Sequence, residues 1–173
     1  MNIFHDIETV PSQDKAVVAA LRDEMEAEIL AIKAPGNYKD PTKIAEYVKA
    51  EAEKVRDGFQ ERYRKTALNG LRGEVLCVAW ALDDNDVVGM VRSLEAQEAP
   101  FLDDVFRRIK DARHTGSGLL ERDCWVGHNC REFDLRFLYH RAVILGVNPG
   151  IRLPHNARPG SGEVYDTMTE WAG

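Results

Sequence analysis

The chain has 173 residues, enough for one domain with a sizeable core and too few for two domains to be expected. Its formal net charge of −6 gives no support to a nucleic-acid partner, and its three cysteines lack the CxxC spacing of a structural zinc site. No run of about 18 apolar residues could span a bilayer, and no basic and apolar leader is visible, so the sequence predicts a cytoplasmic protein without a membrane contact.

The first predicted element is a short buried strand that carries two acids, in the sequence "IFHDIETV". Because side chains alternate along a strand, Asp6 and Glu8 are expected on one face and His5 on the other. Two like charges on one face raise each other's pKa, and Mg²⁺ or Mn²⁺ between them would offset the repulsion. The alternative is that the strand ends at Asp6 and that both carboxylates are solvated.

A helical insertion is predicted straight after this strand, over about residues 12–70. Ser12 is expected to cap a first amphipathic helix, which "KAPGNYKDP" interrupts. Asp40 and Pro41 are expected to begin a second helix that ends at Gly70. The insertion is therefore expected to contain two helices.

The charge of the chain is unevenly distributed. From Lys33 to Arg72 ten basic residues stand against six acidic ones, so this segment carries +4 and the remainder carries −10. A basic segment on an acidic body could follow a phosphate backbone, and a merely solvated helix would have much the same composition. Both interpretations remain open.

Strands and helices alternate through the rest of the chain. "EVLCVAWAL" and "VVGMV" flank the polar "DDND" and predict a hairpin, and a helix is expected from Pro100 to the loop "HTGSG". "CWVGHN" predicts a short buried strand that ends at Gly127, followed by a helix from about Arg131 to Leu145 with Gly146 as its stop. This order predicts one α/β domain, residues 1–173, with a mixed sheet, flanking helices and a two-helix insertion.

A third acid follows the predicted fourth strand, in "VGHNCREFDLRFL". Asp134 falls in the first turn of a helix, where an acid ordinarily compensates the helix dipole. Phe133 and Phe137 occupy the apolar stripe of that helix, which leaves Asp134 at the edge of the stripe, near the end of the sheet. This strand, turn and helix could deliver a third carboxylate to Asp6 and Glu8.

The two acidic motifs together resemble the DEDD superfamily of 3′–5′ exonucleases. The resemblance is strongest to the branch related to the proofreading domains of family B DNA polymerases, often found in phages. The first motif of that family, D-x-E, corresponds to Asp6 and Glu8. Its second motif, N-x-x-x-F-D, corresponds to Asn129, Phe133 and Asp134.

The resemblance implies a ribonuclease H-like fold and hydrolysis of terminal nucleotides with two divalent ions, Mg²⁺ or Mn²⁺. It implies that Asp6, Glu8 and Asp134 are the metal-binding and catalytic residues, with Asp6 bridging the ions. Thr9 and Asn129 are the implied contacts to the terminal nucleotide. The implied partners are single-stranded or frayed DNA 3′ ends and a polymerase or another replication protein.

The C-terminal part of the chain matches the family only partly. "VYDT" resembles the strand-to-helix junction before the third motif, with Asp166 in a structural position near the site. The third motif itself, Y-x-x-x-D or H-x-x-x-D, has no match, since Tyr165 is followed four residues later by Thr169. The sequence is therefore interpreted as truncated before its last helix, and the fourth carboxylate and the general base are missing.

Three alternatives follow from this partial match. An exoribonuclease with the same site would act on RNA, and a catalytically deficient module would bind nucleic acid or a partner protein. A ribonuclease H-like endonuclease is a further alternative. Near the site, His5 is interpreted as a core or interface residue whose polar atoms have partners, and Phe4 and Tyr165 are interpreted as packing residues.

Overall fold

The computed structural model describes residues 1–114 and 123–172, which form five strands, six α-helices and one 3₁₀ helix. In chain order these elements are β1 Asn2–Val10, α1 Lys15–Ala31, α2 Pro41–Asp57, α3 Phe59–Lys65, the 3₁₀ helix Thr66–Leu68, β2 Glu74–Leu82, β3 Val88–Val91, α4 Glu98–His114, β4 Cys124–Gly127, α5 Asp134–Leu145, β5 Val164–Asp166 and α6 Thr167–Ala172. The loop predicted at "HTGSG" lies outside the described residues from position 115 to 118.

The strands form one mixed sheet in the order β3-β2-β1-β4-β5. β1 lies at its centre, antiparallel to β2 and parallel to β4. At the two edges, β3 is antiparallel to β2, and β5 is parallel to β4. The predicted hairpin is confirmed as β2 and β3. The structure thus confirms an α/β fold with a mixed sheet and flanking helices.

One face of the sheet carries the core. Ile3 and Ile7 of β1 are buried there, and α4 and α5 pack against that same face. The largest fully buried hydrophobic residues of this core are Trp125, Phe106, Phe137, Ile3, Leu102, Ile109, Leu135, Leu138, Val75, Val78 and Val105. The intervening residues of β1 are exposed, which shows that no described helix covers the other face at its centre.

The insertion has three α-helices where two were expected. The expected second helix is divided at Gly58, whose N–H still bonds to the carbonyl oxygen of Lys54 at 3.0 Å. Glycine is the least helix-favouring residue apart from proline, so a shallow break is easiest at this position. The 3₁₀ helix then leads the chain back to the sheet.

The first residues of α1 and α2 differ in how far they follow the sequence signals. Asp40 caps α2 as expected, its side chain accepting from the N–H of Thr42 at 2.9 Å. The expected cap at Ser12 is wrong, because Asp14 caps α1 and accepts from the N–H of Ala16 at 2.8 Å. The hydroxyl of Ser12 instead accepts from the N–H of Asp14, one step before the helix.

The helix that bears the third acid begins later than expected. α5 starts at Asp134 rather than at Arg131, because the chain first makes a turn after β4. Its end at Gly146 is confirmed, and this glycine adopts a φ of 66°, which glycine reaches without strain. Among the described helices, none is both long and apolar enough to cross a membrane.

Candidate metal-binding site

The first two acids share one face of β1, as the sequence predicted. The strand alternates exposed and buried residues from Asn2 to Glu8, so Asp6 and Glu8 project to the open side and His5 to the core. The strand continues to Val10, so the alternative that it ends at Asp6 is wrong, although both carboxylates are exposed. Within the described residues, neither side chain has a hydrogen bond or an ion pair that would hold it in place.

The third acid reaches the same strand from the other end of the sequence. Asp134 is 4 % exposed, and its Oδ1 accepts a hydrogen bond from the N–H of Ile7 at 3.1 Å. Ile7 is the residue between Asp6 and Glu8, so the first residue of α5 is fixed to β1 between the two acids. The structure therefore brings the third carboxylate to the position that the sequence suggested.

The pKa of Asp134 is raised by burial and by neighbouring charges. Burial is the main cause that raises the pKa of this carboxyl from 3.8 to about 6, and the charges of Asp6 and Asp166 add to the effect. The hydrogen bond from Ile7 opposes the shift, because it stabilises the charged form. A cation near these acids would favour the ionised form of Asp134.

The three carboxylates do not form a ready-made ligand sphere. Among residues 1–114 and 123–172, no group of three or more His, Cys, Asp or Glu side chains is arranged to hold a metal ion. Asp6 and Glu8 extend from the open face, whereas Asp134 is buried beside the Ile7 N–H. Their oxygens are the donors that Mg²⁺ and Mn²⁺ prefer, and the exposed pair is free to rotate towards an ion.

Asp166 lies close to the site in a structural role. It is 2 % exposed, and its Oδ1 accepts from the N–H groups of Asn129 at 2.8 Å and Met168 at 3.1 Å. Its Oδ2 accepts from the N–H of Arg131 at 3.0 Å. Both oxygens are therefore already engaged in joining the turn after β4 to the start of α6.

Asn129 and Thr9, the two implied nucleotide contacts, differ in whether their side chains already form hydrogen bonds within the described residues. Asn129 adopts a φ of 55°, a left-handed conformation that asparagine tolerates better than most residues, and its side chain has no hydrogen bond with the described residues. Thr9, by contrast, donates its hydroxyl proton to the carbonyl oxygen of Ala67 at 2.6 Å. Thr9 thus ties the insertion to β1 and retains only its oxygen lone pairs for a ligand.

Phe133 connects the second motif to the core. It is half-buried between the turn and α5, and its ring lies 5.6 Å from that of Phe137. Its N–H bonds to the carbonyl oxygen of Asn129 at 3.0 Å, which closes the turn that precedes Asp134. Phe133 therefore joins the turn after β4 to the core side of α5.

Three interpretations of residues beside the acids need correction. His5 is buried and packs edge-on against Trp125, but neither ring nitrogen has a hydrogen-bond partner in the described residues. Burial lowers the pKa of His5 to about 4. Phe4 and Tyr165, expected to be packing residues, are 42 % and 46 % exposed. Both lie on the open face, which no described helix covers at this point.

A pocket beside Asp6 was not expected from the sequence. It has a volume of about 380 Å³, and its lining includes Phe4, Asp6, Val126, His128 and Thr167. His128 Nδ1 lies 3.1 Å from the hydroxyl oxygen of Thr167. This hydroxyl donates a hydrogen bond to the carbonyl oxygen of Gly127, the residue before His128, at 3.2 Å. Parallel pairing of two strands that end at Gly127 and Asp166 is the signal that could have predicted this contact.

Comparison of this chain with models of protein families, with curated proteins and with solved structures finds no match. A function for the site therefore depends on the chemistry of its own residues. The main feature is a set of three carboxylates at one strand, two of them exposed and one buried.

Proposed function

We propose that this protein is a metal-dependent 3′–5′ exonuclease that hydrolyses terminal nucleotides from DNA. The observation that carries the proposal is the 3.1 Å hydrogen bond from the Ile7 N–H to Asp134, which joins the first residue of α5 to the strand that carries Asp6 and Glu8. The proposal includes a ribonuclease H-like fold, with which the five-stranded mixed sheet is compatible. Single-stranded or frayed DNA 3′ ends in the cytoplasm are the proposed substrate, presented alone or by a replication partner.

The proposed roles follow from the exposure of each carboxylate. Asp6 and Glu8 would hold divalent ions from the open face, and Asp134 would bind from the buried side. When bound, such ions supply an activated water and stabilise charge on the phosphate. Asn129 would orient the terminal nucleotide with its free side-chain amide, and Thr9 would accept a hydrogen bond from it.

A second candidate function is a non-catalytic module that binds nucleic-acid ends or a partner protein. It is favoured by one observation, that the described residues contain no preassembled group of three metal ligands. Asp166 does not supply the missing carboxylate, because its two oxygens already accept three backbone hydrogen bonds. This candidate predicts binding of DNA ends without product formation.

The test is a cleavage assay on 5′-labelled single-stranded DNA with Mg²⁺ or Mn²⁺, beside a matched RNA and a circular DNA. We expect a ladder of products shortened from the 3′ end and an intact circle. Asp6→Asn should lower the rate at least about 100-fold. Glu132→Gln is the matched control, because Glu132 is an exposed acid paired with Arg136 and should leave the rate unchanged.

Each alternative gives a different result in this assay. Preferential shortening of the RNA would identify an exoribonuclease, and cutting of the circle would identify an endonuclease. Binding without products, even with Mn²⁺, would identify the non-catalytic module. Equal activity of Asp6→Asn and the wild type would contradict the proposed site.

A further inference from the structure

The basic residues of the helical insertion differ in whether they form ion pairs. Three of them, and Arg72 just after the insertion, pair with glutamates: Lys54 with Glu51, Arg62 with Glu28, Lys65 with Glu61 and Arg72 with Glu24, whereas Arg56 and Arg64 have no ion pair among the described residues. In the segment 32–49, which joins α1 to α2 and includes the first half of α2, and which we call the insertion tip, all four basic residues are exposed lysines. These lysines are Lys33, Lys39, Lys43 and Lys49, and none has an ion pair within the described part of the chain.

The tip therefore has an excess of positive charge. Its only acids are Asp40 and Glu46, so four lysines stand against two carboxylates. Asp40 accepts a hydrogen bond from the N–H of Thr42 and caps α2, so its charge is directed at the start of that helix. The unpaired lysines are thus available to an anionic partner.

Two tyrosines lie among these lysines. The ring centroids of Tyr38 and Tyr47 are 5.7 Å apart, and the ring planes meet at 78°, so the rings pack edge to face. In this arrangement one ring contacts the other only through its edge, and neither of its two faces is covered by the other ring. Tyr38 is 39 % exposed. The two rings line a groove of about 700 Å³. Its other lining residues are Asn37, Lys39, Asp40, Lys43 and Glu46, so two lysines and two acids border it, and Lys33 and Lys49 lie outside it. Aromatic faces beside cations are the combination that binds single-stranded nucleic acid, through base stacking and phosphate contacts.

We propose that the insertion tip is a second binding site, for the bases and phosphates of a single-stranded nucleic acid. An acidic peptide would match the charge but would not use the tyrosine faces, and a duplex keeps its bases stacked within the helix. The chemistry is shared by DNA and RNA. The site itself is independent of metal binding, and only the identity of the strand that reaches it rests on the proposed function.

The helix α1 lies between β1 and the tip along the chain. α1 has 17 residues, so its far end lies about 25 Å from its beginning, which follows β1 after a short loop. At the 3.4 Å spacing of a stacked strand this corresponds to about seven nucleotides. A strand that follows α1 from its beginning to the tip would therefore span about seven nucleotides.

The first experiment measures binding of a fluorescent 20-residue oligothymidylate, and of its RNA counterpart, in EDTA at several salt concentrations. The double variant Lys39→Gln, Lys43→Gln should bind more weakly and lower the slope of log affinity against log salt by about 1.4. Lys54→Gln is the matched control, since this lysine is already paired with Glu51 and should change neither quantity.

The second experiment tests stacking. Tyr38→Leu should weaken binding of the same oligonucleotides about 5- to 100-fold, with the salt slope unchanged. Tyr47→Leu is a second variant at the other ring, and a thermal melt of each variant verifies that it is folded. An unchanged affinity for both variants, or equal competition by polyglutamate, would overturn the site.

Binding in EDTA separates this proposal from the proposed function, because the carboxylates hold no ion under that condition. The lysine variant should bind the 20-residue strand more weakly than the wild type does. If the wild type binds the 20-residue strand in EDTA but does not cleave DNA with Mg²⁺ or Mn²⁺, the exonuclease proposal is contradicted and the tip site is not. No binding of the 20-residue strand by the wild type, or equal weakening by Lys54→Gln, would contradict the tip site alone.

Discussion

The two faces of β1 differ sharply although they alternate residue by residue. Ile3 is fully buried, and its neighbour Phe4 is 42 % exposed. The buried face packs on α4 and α5, whereas the open face carries Asp6 and Glu8. The core contacts and the proposed site are thus separated by the two-residue period of one strand, so that substitutions at adjacent positions should have unlike effects.

The largest effect is expected from truncating the buried face. Ile3→Ala should lower the free energy of unfolding by about 2–5 kcal/mol, because it leaves a cavity in the core. Phe4→Ala, one position along, should lower it by about 1 kcal/mol or less, since its side chain is partly in water already. Urea denaturation of both variants measures the difference. Equal losses would show that the open face is covered in solution.

The next effect concerns the one carboxylate of the site that is buried. The raised pKa of Asp134, about 6, means that its contribution to stability is full below about pH 3.8 and is lost as the pH rises through 6. Asp134→Asn cannot ionise, so it does not lose stability as the pH rises, and its amide oxygen can still accept the hydrogen bond from the Ile7 N–H. Metal-free stability of the variant relative to the wild type should therefore rise by about 3 kcal/mol between pH 3.8 and pH 8.

Comparing variant and wild type at each pH is essential in this experiment. Burial lowers the pKa of His5 to about 4, so stability falls as the pH drops from 6.5 to 4, opposite to the effect of Asp134. Because both proteins contain His5, its contribution cancels in the difference. A difference that does not change with pH would contradict the raised pKa of Asp134.

Metal binding should act through the open face. Mg²⁺ at 100 times its dissociation constant should stabilise the wild type by about 2.7 kcal/mol, measured by thermal denaturation. Asp6→Asn should abolish this gain, and should raise metal-free stability slightly because one of two like charges is removed. Glu132→Gln should respond to Mg²⁺ like the wild type. Loss of folding together with loss of the metal response in Asp6→Asn would contradict a metal site.

The smallest effect tests Thr9, which lies where the two roles of β1 meet. Its hydroxyl donates to the Ala67 carbonyl oxygen, so Thr9→Val should destabilise the protein by about 1 kcal/mol. Thr9→Ser keeps the hydroxyl and is the matched control. If cleavage of DNA by Thr9→Val falls more than the stability loss explains, Thr9 also contacts the nucleotide.

Local sequence patterns predicted most elements of the sheet. Alternation of polar and apolar residues identified β1, and the polar "DDND" between two apolar runs identified the hairpin of β2 and β3. The break at Gly58 and the cap at Asp14 were missed, because several residues near each helix end satisfy similar rules. Such boundaries depend on which of the competing hydrogen bonds the packed structure permits.

The sequence by itself determined that Asp6 and Glu8 lie on one face, since a strand has a period of two whatever surrounds it. Only the tertiary structure decided that Asp134 reaches the N–H between them, because that bond joins residues 127 positions apart. Among the described residues, it also decided which lysines of the insertion form an ion pair and which form none. Local geometry follows from neighbours in the chain, whereas burial, pKa and ion pairing follow from neighbours in space.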